Sequence, residues 1–278
     1  MKFSLREDAL SRTLIAAHRG TWGGNIMCNT PQAFECALMQ GADMIELDLT
    51  PSADGELFVF HPGMEKVFLG TQTRLETLPS SEVRKLRYLN VDKAVTEWPI
   101  CPFDDALEQL KGRCYINVDK FWDNLAGATE AVRRHRMEEQ VLVKTGPRED
   151  VLDWMEQNAP DINYMAILRE KDEFTPIARR RKINYVGVEA LFATEDVPIA
   201  SPEYVRSMNR QGMLVWINTI VYNYKAVLAA GHSDDTAVSG DPDTGWGWLL
   251  KQGYNIIQTD FPQMLRQYME AFRGNGRG

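Results

Sequence analysis

The 278-residue sequence predicts an α/β fold, a closed (β/α)8 TIM barrel with a small insertion after the second strand. Three observations predict it. Short apolar stretches recur along the chain, helix-spaced segments separate them, and the alternation repeats about eight times. Strand followed by helix, repeated, implies a parallel sheet buried on both faces. Eight such units favour a closed barrel over an open doubly wound sheet.

The strands are expected at Thr13–Ala17, Asp43–Leu49, Cys114–Val118, Gln140–Val143, Asn163–Leu168, Ile183–Val188, Met213–Ile217 and Asn255–Gln258. Helical spacing marks Pro31–Gln40, Phe103–Lys111, Leu125–Arg136, Arg148–Asn158, Phe174–Lys182 and Pro202–Gln211. Residues 51–102 break the rhythm between the second and third strands. Asp54-Gly55, between Pro51 and the run Leu57–Phe60, is a turn signal that returns the chain through a short extra strand. The rest of that stretch reads as an inserted loop or small subdomain. Gly231–Gly247, rich in Gly, Asp and Ser, reads as a long loop before the last strand, of the kind that forms lids and substrate walls. The whole of 1–278 is therefore expected to be one barrel domain carrying one insertion.

Composition narrows the function classes. Hydrophobic residues make up 44% and charged residues 25%, which suits a packed core rather than disorder. Lys plus Arg is 31 against 39 Asp plus Glu, a net charge of −8. That balance disfavours a nucleic-acid partner, which calls for a basic stripe. It leaves an anionic substrate open, because a metal ion can reverse the sign of a local field. Charges at Arg6, Glu7, Asp8 and Arg12 interrupt the start of the chain, so no secretory signal is read there. No apolar run reaches the roughly 20 residues of a membrane helix, and a cytoplasmic location is expected. Cys28, Cys36, Cys101 and Cys114 show no CxxC pairing and read as reduced thiols.

A (β/α)8 barrel keeps its chemistry at the C-terminal ends of its strands, and that rule alone selects candidates. The first strand ends in His18-Arg19-Gly20, the second carries Glu46 and Asp48, and the third ends in Asn117, Asp119 and Lys120. Lys144 and Glu189 close the fourth and sixth, while Trp216 and Asn218 lie on the seventh. Side chains alternate along a strand, so Glu46 and Asp48 share one face and Ile45, Leu47 and Leu49 take the other. Two adjacent carboxylates pointing into a barrel repel unless a proton or cation lies between them. A hard divalent cation, Mg²⁺ or Ca²⁺, is the natural partner, with Asp119 on the adjacent strand as a third ligand. His18 and His61 could form a general acid and base pair, and Arg19 offers a planar fork for phosphate. Lys120 could neutralise charge on a phosphoryl oxygen or balance the nearby carboxylates. Trp216 could stack on a ligand or plug the barrel, and Lys144, Glu189 and Asn218 are substrate-binding candidates by position.

These residues, in this order, resemble the glycerophosphodiester phosphodiesterase family, within the phospholipase C-like phosphodiesterases. The resemblance runs through His18-Arg19-Gly20, Asn29-Thr30-Pro31-Gln32-Ala33-Phe34 and Gly41-Ala42-Asp43-Met44-Ile45-Glu46-Leu47-Asp48. It continues in Asp54-Gly55, His61 and Ile116-Asn117-Val118-Asp119-Lys120, and ends in Val215-Trp216-Ile217-Asn218-Thr219 and Ile256–Pro262, spanning about residues 14–268. It implies a barrel with an insertion after strand two, and a divalent cation on Glu46, Asp48 and Asp119. It also implies paired histidines at His18 and His61, with Arg19 and a lysine on phosphate. The implied reaction hydrolyses a small glycerophosphodiester to glycerol 3-phosphate and an alcohol. A cyclising lyase, or a barrel that binds diesters without turnover, are the alternatives. Three positions depart from the family pattern: Cys28 stands where the family usually has Glu, and Pro62 where it has Asp. Lys120 directly follows Asp119 instead of standing two positions on.

Overall fold

A computed structural model describes residues 3–222 and 225–274. Eight parallel strands form a closed ring: Leu14–His18, Met44–Pro51, Tyr115–Asp119, Val141–Thr145, Asn163–Arg169, Tyr185–Leu191, Leu214–Asn218 and Ile256–Thr259. The first strand pairs with both the eighth and the second, which shuts the barrel. Each lies within two or three residues of the apolar run that predicts it. The reason is that a strand covered on both faces must be apolar at nearly every position.

Alternation divides each strand between two environments. Ile15, Ala17, Ile45, Leu47, Ile116 and Val118 face outward, into one continuous core with the surrounding helices. Leu14, Ala16, Met44, Leu142, Leu214 and Trp216 face inward and fill the lower barrel. Strands six and seven approach so closely that a Cβ on Gly187 would stand 2.0 Å from the Leu214 carbonyl oxygen, so only glycine fits there. Below them the helix Leu5–Ser11, which the sequence reading does not mark, closes the N-terminal end. Leu5 and Ala9 insert among the interior residues, and Arg6 Nη2 donates to the Tyr185 carbonyl at 2.9 Å.

Helices Pro31–Met39, Phe103–Leu110, Leu125–His135, Glu149–Asn158, Pro202–Arg210 and Pro262–Gly274 cover the ring. Thr30 and Ser201 cap the first and fifth of these by accepting the Ala33 and Tyr204 N–H groups. Two expectations are corrected. The helix expected over Phe174–Lys182 is only one turn, Thr175–Ala178. Four successive cations, Arg179 to Lys182, follow it, and Arg181 is drawn away to Asp153 at 2.7 Å. Gly231–Gly247 is not a loop throughout: it contains the helix Asp234–Ser239, capped by Ser233, and a π-turn at Asp243–Gly247. Among the described residues no helix is long and apolar enough to cross a membrane.

The insertion performs one task for the site. Asp54-Gly55 turns the chain, with Gly55 at φ 85° and its N–H on the Ser52 carbonyl. Leu57–Val59 then runs back antiparallel to strand two, with Leu49 opposite Val59. The Phe60 N–H donates to the Asp48 carbonyl at 3.0 Å, so the next residue, His61, is delivered to the barrel mouth beside Asp48. Phe58, Phe60, Phe68, Leu75, Val83 and Tyr88 form a separate small core under this segment, and Cys28 packs into it.

Candidate active site

Glu46, Asp48 and Asp119 converge above the inner apolar layer, with ligand oxygens all within 4.8 Å of one another. Register explains the meeting: Asp48 lies opposite Asp119, and His18 opposite Glu46, on neighbouring parallel strands. Each carboxylate has one oxygen already engaged. Glu46 Oε2 accepts the Arg19 N–H at 3.0 Å, and Asp119 Oδ2 takes Lys120 Nζ at 2.9 Å. Asp48 Oδ2 accepts Asn29 Nδ2 and lies 2.9 Å from Arg19 Nε. Asp48 Oδ1 is buried and has no hydrogen-bond partner among the described residues. The three remaining oxygens therefore constitute an all-oxygen donor set, which suits a hard divalent cation.

Charges this close perturb one another. Burial and the Asp48 charge push the Glu46 carboxyl well above the usual range. Burial acts the same way on Asp48, but Arg19, His61 and the Asn29 hydrogen bond outweigh it and hold Asp48 low. For Lys120, burial disfavours the ammonium, yet Asp119 more than restores it.

The two histidines are held differently. His18 is buried, with Nδ1 2.8 Å from Asp260 Oδ1 and Nε2 without a hydrogen-bond partner among the described residues. Burial disfavours its charged form, but the Asp260 hydrogen bond and the Glu46 charge prevail and raise its pKa. His61 lies with Nδ1 2.9 Å from the Pro62 carbonyl oxygen and Nε2 3.9 Å from Asp48 Oδ1, and burial lowers its pKa. A neutral His61 that donates from Nδ1 to that carbonyl leaves its Nε2 lone pair facing the carboxylates.

The three departures from the family pattern now have local explanations. Pro62 supplies a backbone acceptor for His61, and it does so without a side chain. Cys28 belongs to the insertion core, where burial drives its thiol up to about 12, so it stays protonated. Lys120 follows Asp119 directly, but its φ of 59° turns the chain left-handed and brings Nζ back onto Asp119. Arg19 and Asn29 adopt the same left-handed conformation, at φ 58° and 59°. Three non-glycine residues in that region, each costing roughly 1–3 kcal/mol, surround one site, and each has a side chain or N–H on a carboxylate. Gly20, at φ 75°, has no such latitude, since a Cβ there would lie 2.6 Å from the Ala33 carbonyl carbon.

The remaining candidates form the floor on the opposite side. Lys144 Nζ lies 2.5 Å from Glu189 Oε2 and 3.9 Å above the Trp216 ring. Asn218 donates to Glu189 and accepts from Trp216 Nε1. Trp216 is fully buried and plugs the barrel from below, whereas Lys144, Glu189 and Asn218 line a cavity of about 460 Å³ shared with Glu46 and Asp119. The other two histidines stand apart. His135 is not simply solvated but joins Asp104 and Glu108, and His232 stacks on Trp248 at 3.9 Å. Asp260 is a strand-end acid in the sequence but carries no assigned role there, and Asn29 falls only within the motif Asn29–Phe34. The signal for Asp260 was an acid at the end of the eighth strand.

Comparison with known proteins places this architecture. A solved glycerophosphoryl diester phosphodiesterase from Parabacteroides distasonis superposes with a TM-score of 0.77 at 16% identity, covering 98% of this chain and 94% of that one. A glycerophosphodiester phosphodiesterase from Agrobacterium tumefaciens does so at 0.65 and 21% identity, covering 91% and 98%. The chain has the fold of these phosphodiesterases. An Oleispira antarctica phosphodiesterase, solved with its product sn-glycerol-3-phosphate, matches at 0.68 and 16% identity over 94% and 99% of the two chains. A family described only as a domain of unknown function matches residues 164–269. No curated protein sequence matches the chain.

Proposed function

We propose that this protein is a divalent-cation-dependent glycerophosphodiester phosphodiesterase, releasing glycerol 3-phosphate and an alcohol. The observation that carries the reading is the unsatisfied face of the site: the partnerless Asp48 Oδ1 and His18 Nε2, with the free oxygens of Glu46 and Asp119 beside them. The similarity of the fold to phosphodiesterases, one solved with glycerol 3-phosphate, supports it. Glu46, Asp48 and Asp119 would hold Mg²⁺ or Ca²⁺. When bound, the ion supplies Lewis-acid polarisation of a phosphoryl oxygen.

The chain's own groups do the rest. Arg19 and Lys120 present cationic donors to the phosphate. His61 Nε2 takes the proton of the neighbouring glycerol hydroxyl as its oxygen bonds phosphorus. His18 Nε2–H protonates the departing alcohol as the old P–O bond breaks, its charge stabilised by Asp260. Water then opens the cyclic ester with the two roles reversed. Release of glycerol 3-phosphate, followed by phosphorus NMR with EDTA, Mg²⁺ or Ca²⁺, tests this. We expect metal-dependent product and at least a 10²-fold loss of turnover in H18A. An accumulating cyclic phosphate would make the protein a lyase. Diester binding without product would make it a binding barrel.

A further inference from the structure

The reacting groups lie on strands one to three and the insertion, which leaves the mouth over strands four to six for another purpose. The 460 Å³ cavity begins at Glu46, Asp119 and Lys120 and extends to Arg169. A second cavity of about 700 Å³ adjoins it, and Trp122, Ile167 and Arg169 line both. The walls of the second cavity are mainly apolar, with Leu168, Phe174 and Ile177 beside Ile167.

The charges here are unevenly matched. Lys171 pairs with Glu173 at 2.7 Å, and Arg148 pairs with Asp150. Glu189 has one oxygen on Lys144 and the other on Asn218. The Arg169 guanidinium, at the end of strand five, has no hydrogen bond or ion pair among the described residues. It therefore stands at the junction of the two cavities as an unmatched planar cation. Among the described residues lining the two cavities, Glu173 and Glu189 are already paired, and Glu46 and Asp119 belong to the candidate cation site.

We propose that the joined cavities receive the leaving alcohol and favour one that carries its own anionic group, with Arg169 as the residue that selects it. This rests on the phosphodiesterase reading above. Arg169 is exposed, and its guanidinium fork matches the oxygens of phosphate or carboxylate in a bidentate manner while the apolar wall beside it offers no competing charge. A quaternary ammonium headgroup would meet a net positive wall there, and a small neutral alcohol would leave the fork unused.

The test compares kcat/KM for glycerophosphocholine, glycerophosphoglycerol and glycerophosphoglycerol phosphorylated on its leaving glycerol. The phosphorylated diester is expected to be preferred over the neutral one by about two- to fivefold, the size of one solvent-exposed ion pair. In R169Q that ratio should collapse toward unity, and R169K, which keeps the charge but not the fork, should retain part of it. Equal kcat/KM for the three diesters would overturn the inference and leave the reaction assignment standing. An undiminished ratio in R169Q would remove Arg169 from the role. Cleavage of none of them would overturn both readings.

Discussion

Replacing Asp260 by Asn keeps the size of the side chain beside His18 and removes its charge. In the native site Asp260 Oδ1 lies 2.8 Å from His18 Nδ1, and the Asp260 side chain is 41% exposed. Two unit charges about 4 Å apart interact by about 4 kcal/mol near a protein surface and about 1 kcal/mol in bulk water. A half-exposed carboxylate beside a buried imidazole falls between them, at about 2 kcal/mol. Losing that stabilisation of the imidazolium should lower the His18 pKa. The sign follows from the direction of the native shift: the acid raises the pKa of His18, so its loss lowers it. In the proposed reaction His18 is the acid that protonates the leaving alcohol, so the alkaline limb of the kcat/KM profile should move toward lower pH. The same shift should appear in an NMR titration of the His18 ring without substrate or metal. The Asn oxygen can still accept from Nδ1, so D260N should keep the ring in place, while D260A should lose orientation as well. An unmoved His18 titration in folded D260N would refute the argument.

Three further outcomes follow from other parts of the molecule. Glu46 must lose its proton to ligate a cation and its pKa is raised, so proton and metal compete: apparent metal affinity, measured by calorimetry, should weaken about tenfold per unit as pH falls below that pKa. E46Q should abolish that pH dependence along with tight binding. Leu5→Ala, which empties a fully enclosed position at the barrel floor, should cost about 2–5 kcal/mol in urea unfolding while leaving the native-state His18 titration unchanged. Cys28 is buried with its thiol protonated, so the native protein should react slowly with iodoacetamide at this residue; C28S should cost about 1–3 kcal/mol by burying a hydroxyl among the insertion aromatics, with little change in metal affinity.

The barrel strands were legible because burial on both faces writes them as apolar runs, and alternation alone placed Glu46 and Asp48 inward together. The N-terminal helix was not, since Leu5 and Ala9 are its only buried residues in a charged stretch, and what they bury against is assembled from five or more distant strands. In Gly231–Gly247 the turn-forming composition masked a readable start, Ser233 followed by Asp234 and Asp235, which is a serine cap with acids in the first turn. The direction of Lys120 is not legible in the sequence, because strand alternation points adjacent residues apart and only its left-handed turn reverses that. The Asp260–His18 contact joins residues 242 positions apart, and no local pattern encodes a pair made by tertiary closure.

That contact exists because the first strand lies against the last. His18 ends the first strand and Asp260 follows the eighth, so closing the ring and supporting His18 are one event. A nascent or truncated chain lacking the eighth strand would have its three carboxylates in sequence yet neither an enclosed mouth nor a supported His18.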